Sequence, residues 1–151
     1  MTLLGLLVFS LLLAAAAVSD LARYRIPNWL TATLAMAGLA FVLPQGANAW
    51  LSHGVSFAIL GGAALALYLV GAFGGGDVKL LAAAGLWMPA PSLPVFVFAL
   101  ALAGGLQALA MLAMRRVSAP APIVRPAARM PYALSVAAAG LVWAAVQLAA
   151  R

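Results

Sequence analysis

Residues 2–19 read TLLGLLVFSLLLAAAAVS, a stretch that contains no charged side chain and is almost wholly apolar. An α-helix of roughly 20 apolar residues is long enough to cross the hydrocarbon core of a bilayer. Inside lipid the backbone has to satisfy its own hydrogen bonds, so a helix is the expected form of such a stretch. The segment therefore predicts a membrane-spanning helix at the start of the chain.

The composition extends this prediction to the rest of the sequence. Of the 151 residues, 68% are hydrophobic and 7% are charged, and the mean hydropathy is +1.17. A chain of this size cannot bury so much apolar surface in water, which excludes a soluble monomer and a disordered chain. The absence of cysteine excludes a disulfide scaffold and thiol catalysis.

Further apolar stretches follow the first one. They are residues 29–43, 54–73, 78–88, 93–114 and 132–150. We therefore predict an all-α polytopic membrane protein with six transmembrane helices in a single domain, residues 1–151. Trp29, Trp50 and Trp87 lie near predicted span ends, where interfacial anchors are common. Trp143 lies deeper and is expected to pack inside.

The basic residues predict the orientation, because cytoplasmic loops are enriched in Lys and Arg. With six crossings, one side holds only Arg151 and the other holds seven basic residues: Arg23, Arg25, Lys79, Arg115, Arg116, Arg125 and Arg129. If segment 78–88 were re-entrant, the split would be four against four. Six crossings with the N-terminus outside are therefore preferred. The net charge of +6 then points to anionic lipid, and no nucleic-acid partner is expected.

Two connections are expected to be polar loops. Residues 44–53 are predicted as a short outer loop that carries His53, to which we assign no role. Residues 115–131 are predicted as an extended cytoplasmic loop, because four prolines and several arginines interrupt the apolar pattern. Gating of a site by this second loop is a hypothesis that shortening the loop would test.

Asp20 and Asp77 are the only acidic residues in the sequence. Asp20 ends the first predicted span and Asp77 precedes the fourth, so two crossings between them return the chain to the same face. Two neighbouring carboxylates share one proton, because both cannot easily ionise. The ionised partner can then take a proton from water while the protonated partner polarises a peptide carbonyl, which is aspartic-protease chemistry without a metal or cofactor.

Other interpretations of the two acids remain open from composition alone. Each can face lipid headgroups or pair with a neighbouring cation, Arg23 or Lys79. A proton- or solute-handling membrane protein also uses intramembrane acids, although it favours the middle of the bilayer. The glycines at 74–76 permit close approach of another backbone, or form a simple turn.

The residues around the two acids resemble a known family. The run Gly74-Gly75-Gly76-Asp77-Val78-Lys79 fits the pattern G-x-G-D-x-K, and Asp20 is followed by Ile26-Pro27-Asn28. Together they resemble the prepilin peptidases, membrane-embedded aspartic proteases of the GxGD type. The resemblance implies that Asp20 and Asp77 are catalytic, that Gly74, Gly76 and Lys79 bind substrate, and that no cofactor or metal takes part. A looser similarity lies at Arg129-Met130-Pro131-Tyr132-Ala133, where the family often has a proline–aromatic turn.

The resemblance also implies a substrate and a location. Prepilin peptidases remove the leader that precedes the hydrophobic N-terminal helix of type IV-like prepilins, at the cytoplasmic face of the bacterial inner membrane. Longer members add a domain with a cysteine tetrad and methylate the mature N-terminus. This sequence is similar to the short Flp/Tad-type form, so methylation is not expected. Other pilus-assembly proteins are expected as partners. A non-catalytic membrane component of a pilus or secretion machine, with the motif retained, stays open as an alternative to the peptidase.

Overall fold

The six predicted helices are all present in the computed structural model, which describes residues 2–117 and 130–150. They are α1 Leu3–Arg23, α2 Asn28–Val42, α3 Ala47–Leu69, α4 Gly75–Gly85, α5 Leu93–Val117 and α6 Tyr132–Ala149. Short 3₁₀ turns at Leu43–Gln45 and Ala90–Ser92 join α2 to α3 and α4 to α5. Within the described ranges no strand occurs, so the predicted all-α class is confirmed.

Four helical segments are long and apolar enough to cross a membrane. They are Leu3–Arg23, Ala47–Leu69, Ala90–Met114 and Tyr132–Ala149. The other two helices are shorter, with 15 residues in α2 and 11 in α4. At a rise of about 1.5 Å per residue, α4 is only about half as long as a helix that spans the bilayer alone.

The short helix α4 is enclosed by the others. It packs along α3 and also contacts α2 and α6. Leu80 and Ala84 are fully buried. Trp87, just past the end of α4, donates its indole N–H to the carbonyl of Leu34 in α2 at 2.8 Å. Its ring lies 5.3 Å from that of Phe9 in α1, centroid to centroid. The core of the bundle is therefore built around α4, and protein rather than lipid surrounds it.

Glycines let the helices cross closely at two points around α4. A Cβ at Gly85 would lie 2.8 Å from the Phe57 Cα and the Ser56 carbonyl oxygen of α3, closer than real Cβ atoms come. A Cβ at Gly38 in α2 would lie 2.9 Å from the indole nitrogen of Trp87. The close contacts at Gly85 and Gly38 both require a residue without a side chain, as is common where membrane helices pack.

The remaining helices α1, α5 and α6 pack around the same core, and α1 and α6 contribute many of its buried side chains. α1 packs against α6 and α2, while α5 packs mainly against α6. Large apolar side chains on the outer face of α5 are exposed, among them Phe98, Leu106 and Leu109. Such a face suits lipid, since it presents no polar group that would need a partner there.

Three sequence-based expectations differ from the structure. The predicted loop 115–131 begins later than expected, because α5 extends to Val117, and its residues 118–129 lie outside the described residues. The stretch 44–53 is not a loop throughout, because α3 begins at Ala47. His53 therefore lies within a helix, is buried, and has its Nδ1 2.8 Å from the carbonyl oxygen of Leu86. Trp87 is not an interfacial anchor, since it is 1% exposed. The hydropathy pattern placed the start of α3 in a loop because its first residues are polar. It placed Trp87 at the interface because the pattern does not show that the Leu34 carbonyl of α2 accepts the indole N–H. Trp29 and Trp50 are exposed and Trp143 is buried, as predicted.

Candidate active site

Asp20 lies in the last turn of α1, where the chain reverses. Tyr24 ends the helix in the left-handed region, with φ 49°, and donates its N–H to the Asp20 carbonyl at 2.8 Å. The Ser19 hydroxyl donates to the Arg25 carbonyl at 3.0 Å, which holds the turn against α1. α2 then begins directly after Pro27, whose fixed φ suits a helix start. The turn thus forms a wall beside the Asp20 carboxyl group.

The side chain of Asp20 is 7% exposed and supports another helix. Its Oδ2 accepts the backbone N–H of Ala133 in the first turn of α6 at 3.1 Å. The N-cap residue of α6, Pro131, provides no side-chain cap. A carboxylate at a helix N-terminus is favoured by the unsatisfied N–H groups and by the helix dipole. Asp20 therefore acts as a capping group for α6 from a different helix.

Asp77 is the third residue of α4 and is 9% exposed. Its Oδ2 accepts the backbone N–H of Gly74 at 3.1 Å. A Cβ at Gly74 would lie 3.1 Å from the same oxygen, so a side chain there would crowd the carboxyl group. A Cβ at Gly76 would lie 3.4 Å from Ile26, so this glycine packs against the turn that follows α1.

The two carboxyl groups line the same cleft, which has a volume of about 610 Å³. Its walls are the end of α1, the turn into α2 and the start of α4: Ser19, Asp20, Arg23, Tyr24, Arg25, Ile26, Pro27, Asn28, Gly74, Gly75, Gly76 and Asp77. The structure thus brings together Asp20, Asp77, Gly74 and Gly76 of the sequence-predicted site. Arg23 and Arg25 are the basic residues of this lining.

Lys79, the fifth predicted residue, does not line the cleft. Its Nζ donates to Oδ1 of Asn28 at 2.9 Å on the exposed side of the cleft wall. In the described part of the chain, the hydrogen bonds to the Asp20 and Asp77 carboxyl groups come from backbone N–H groups. Among the described residues, Asp20 and Asp77 therefore do not form the ion pairs with Arg23 or Lys79 that the sequence left open.

The electrostatics of the cleft favour a proton on one carboxyl group. Burial raises the pKa of Asp77 to about 6, well above its ordinary value of 3.8. The hydrogen bond from Gly74 opposes this increase, and the negative charge of Asp20 adds to it. Asp77 therefore keeps its proton to a higher pH than an ordinary carboxyl group, mainly because it is buried.

The start of α6 is a part of the site that the sequence indicated only loosely. Tyr132 has its ring 4.7 Å from the ring of Phe73, which directly precedes Gly74. Ala133 bonds to Asp20, as described above, and Gln107 of α5 donates to the carbonyl of Pro131 at 3.0 Å. The loose similarity at residues 129–133 falls here, although Arg129 lies outside the described residues. The available signal for Gln107 was a single amide within the otherwise apolar stretch 93–114.

A second cavity lies at the opposite end of the bundle. It has a volume of about 340 Å³, and its lining includes His53, Trp87, Trp143 and Gln147. The start of α4 lines the first cleft, and Trp87, just past its end, lines this one. Among residues 2–117 and 130–150, no group of three or more His, Cys, Asp or Glu side chains is placed to hold a metal ion.

Comparison with known proteins gives the family. A sequence profile of the type IV leader peptidase family matches residues 7–109, which is more than half of the chain and includes both Asp20 and Asp77. No curated protein and no solved structure matches the sequence. The long apolar helices and this family match together make the chain a membrane peptidase, and it belongs to the type IV leader peptidase family.

Proposed function

We propose that the protein is an aspartic endopeptidase that removes the leader of type IV-like (Flp/Tad) prepilins, with Asp20 and Asp77 as its catalytic pair. One observation carries this proposal: the only two acidic residues of the sequence line one cleft, at the ends of helices that are far apart along the chain. Two interfacial anchors would face the lipid headgroups, whereas both of these side chains are largely buried along one cleft. The raised pKa of Asp77 supports the same assignment.

The chemistry follows from one shared proton. The ionised carboxylate takes a proton from a water molecule, whose oxygen attacks the carbonyl carbon of the scissile peptide bond. The protonated carboxyl group gives its proton to the carbonyl oxygen, which forms a tetrahedral diol. Collapse of the diol breaks the C–N bond. The leaving nitrogen receives a proton from the carboxyl group that took one from water, and one diol hydroxyl returns its proton to the other carboxylate, which restores the singly protonated pair. One water is consumed, and the products are a new carboxyl terminus and a new amino terminus.

The cleft suits an extended peptide that enters from the membrane surface. The hydrophobic helix of a prepilin would lie in the bilayer, and its polar leader would then reach the depth of the two carboxyl groups. Gly74 leaves room beside the Asp77 carboxyl group for the substrate backbone. Gly76 keeps the turn at Ile26 close, and Lys79 supports the wall through Asn28. These three residues would thus shape the substrate-binding surface.

The proposed topology has six crossings, with the cleft at the cytoplasmic face of the inner membrane and the N-terminus outside. The support for the fourth crossing is the packing of segment 78–88. Gly75 lies beside Tyr68 near the end of α3, and the Leu86 carbonyl lies beside His53 near the start of α3. The segment therefore runs antiparallel to most of α3. A crossing segment enclosed by protein need not match the length of a lipid-exposed helix.

Purified protein in liposomes, with an Flp-type prepilin from the same genome, tests the proposal. Wild-type protein should shorten the prepilin, and N-terminal sequencing should locate the cut before the hydrophobic helix. Asp20→Asn and Asp77→Asn should each leave the prepilin intact, while Gln147→Leu, at the other end of the bundle, should cut it at close to the wild-type rate. Intact prepilin with folded wild-type protein, tried with a second pilin as well, would favour a non-catalytic component.

A further inference from the structure

Gln107 makes two hydrogen bonds to the start of α6. Its Nε2 donates to the carbonyl oxygen of Pro131 at 3.0 Å, and its Oε1 accepts the hydroxyl hydrogen of Ser135. Gln107 is partly buried, and Ser135 is 3% exposed. Both ends of the amide are therefore used, and both partners belong to the N-terminal end of α6.

These bonds fix the position of α6 along α5. The neighbours of Gln107 on α5 are apolar, and α5 packs mainly against α6. Apolar contacts between two helices tolerate a shift along the helix axis, whereas a two-point amide contact does not. A polar side chain on a membrane helix is also costly to leave unpaired, which favours the arrangement that pairs it.

The N-terminal end of α6 in turn supports both carboxyl groups. Ala133 donates its N–H to Asp20 at 3.1 Å. The Tyr132 ring contacts Phe73, which precedes the glycine whose N–H bonds to Asp77. A displacement of α6 would therefore act directly on the bond to Asp20 and, through Tyr132 and Phe73, on the segment that leads to Gly74. The other charged residues that line the cleft with Asp20 are Asp77, Arg23 and Arg25.

We propose that Gln107 is a positioning residue for the carboxylate pair, because it holds the N-terminal end of α6 where Ala133 can bond to Asp20. The inference rests on the proposed catalytic role of Asp20 and Asp77. Gln107 does not line the cleft, so its contribution acts through the backbone of α6 and not through contact with the peptide.

Gln107→Leu tests this inference in the full-length protein in liposomes. We expect kcat for prepilin cleavage to fall about tenfold while KM changes by less than about twofold, since catalytic geometry is sensitive to small displacements and the cleft walls are untouched. Gln147→Leu is the matched control. Gln147 donates to Ser92 Oγ at 3.4 Å near the other end of α6, and its loss should change kcat by less than about twofold.

A second measurement does not depend on cleavage. Hydrogen exchange at the backbone amides of residues 132–136 should be about tenfold faster in Gln107→Leu than in wild type, and unchanged in Gln147→Leu. If wild-type protein fails to cut any prepilin, the proposed function fails, and this exchange measurement alone still decides the role of Gln107. Wild-type exchange in Gln107→Leu would overturn the inference.

Two other outcomes would also overturn it. One is an unchanged kcat in Gln107→Leu. The other is an equal loss of kcat in both leucine variants together with equal losses of thermal stability, which would show a structural role only. If Gln107→Leu does not fold, Gln107→Asn replaces it. Its amide is one methylene shorter and cannot keep both bonds, so kcat should still fall about threefold or more, and a wild-type kcat would contradict the inference.

Discussion

Replacing Asp77 by Asn should abolish cleavage and at the same time stabilise the protein. The substitution removes the negative charge but keeps an oxygen that can accept the N–H of Gly74. A buried carboxylate with a raised pKa is destabilising in its ionised form, because the unfolded chain ionises more easily than the folded one. Catalytic groups are often buried in surroundings that destabilise their charged form. Removing such a group therefore lowers activity but raises the free energy of unfolding.

The size of the gain follows from the pKa of Asp77, which burial raises from 3.8 to about 6. A shift of this size is worth about 3 kcal/mol at most, at about 1.36 kcal/mol per unit. The carboxyl group borders an open cleft, so solvent screening reduces the figure to about 1–2 kcal/mol. The gain is constant above about pH 6, shrinks as the pH falls below 6, and disappears near pH 4, where Asp77 is protonated in both states.

Thermal melting in detergent, followed by tryptophan fluorescence, measures this effect. We expect Asp77→Asn to melt about 2–8 °C above wild type at pH 7.5 and together with wild type near pH 4. Asp77→Ala, which also loses the bond from Gly74, should be about 1 kcal/mol less stable than Asp77→Asn. Prepilin cleavage should fall at least about 100-fold in both variants. A variant that melts lower than wild type and still cuts would show that Asp77 is a structural residue.

Further predictions concern the pH profile, the helix packing and the cleft wall. The proposed pair is active with one proton, and burial raises the pKa of Asp77 to about 6. In liposomes equilibrated on both sides, the cleavage rate should therefore rise about tenfold from pH 8 to pH 7. A rate that does not change with pH would contradict the shared proton. Gly85→Ala should destabilise the fold by about 1–3 kcal/mol, because the new Cβ would meet the backbone of α3. The control Gly62→Ala has open space around it, so its melting temperature should equal that of wild type or exceed it. Lys79→Met and Asn28→Ala should each slow cleavage about threefold. If the two residues act through their mutual hydrogen bond, the double variant should be no slower than either single variant. Additive losses would instead show separate roles.

The sequence predicted the helices well because lipid imposes a simple rule on the backbone. Each of the six apolar stretches became a helix, with ends that differ from the prediction by up to seven residues. The ends of the helices were harder to predict. α3, for example, starts in the polar stretch after Gly46, which hydropathy alone places in a loop. Capping geometry and tertiary contacts decide such ends, and they are not visible in a hydropathy pattern.

The site was predictable to the extent that topology decides it. The two successive helices α2 and α3 between Asp20 and Asp77 return the chain to the same end of the bundle, and both acidic residues line one cleft there. The contribution of α6 was not predictable in the same way, because Ala133 acts through its backbone N–H, which any residue carries. Lys79 was predicted at the substrate-binding surface, but its reach to Asn28 depends on how α4 sits against α2.

The most direct test of the paired-carboxylate account compares the cleavage rates of Asp20→Asn, Asp77→Asn and the double variant under single-turnover conditions. Groups that act as one unit lose their whole effect when either is removed. The account predicts that each single variant loses at least about 100-fold and that the double variant is no slower than the singles. A single variant that keeps more than about a tenth of the wild-type rate, in a folded protein, would contradict it.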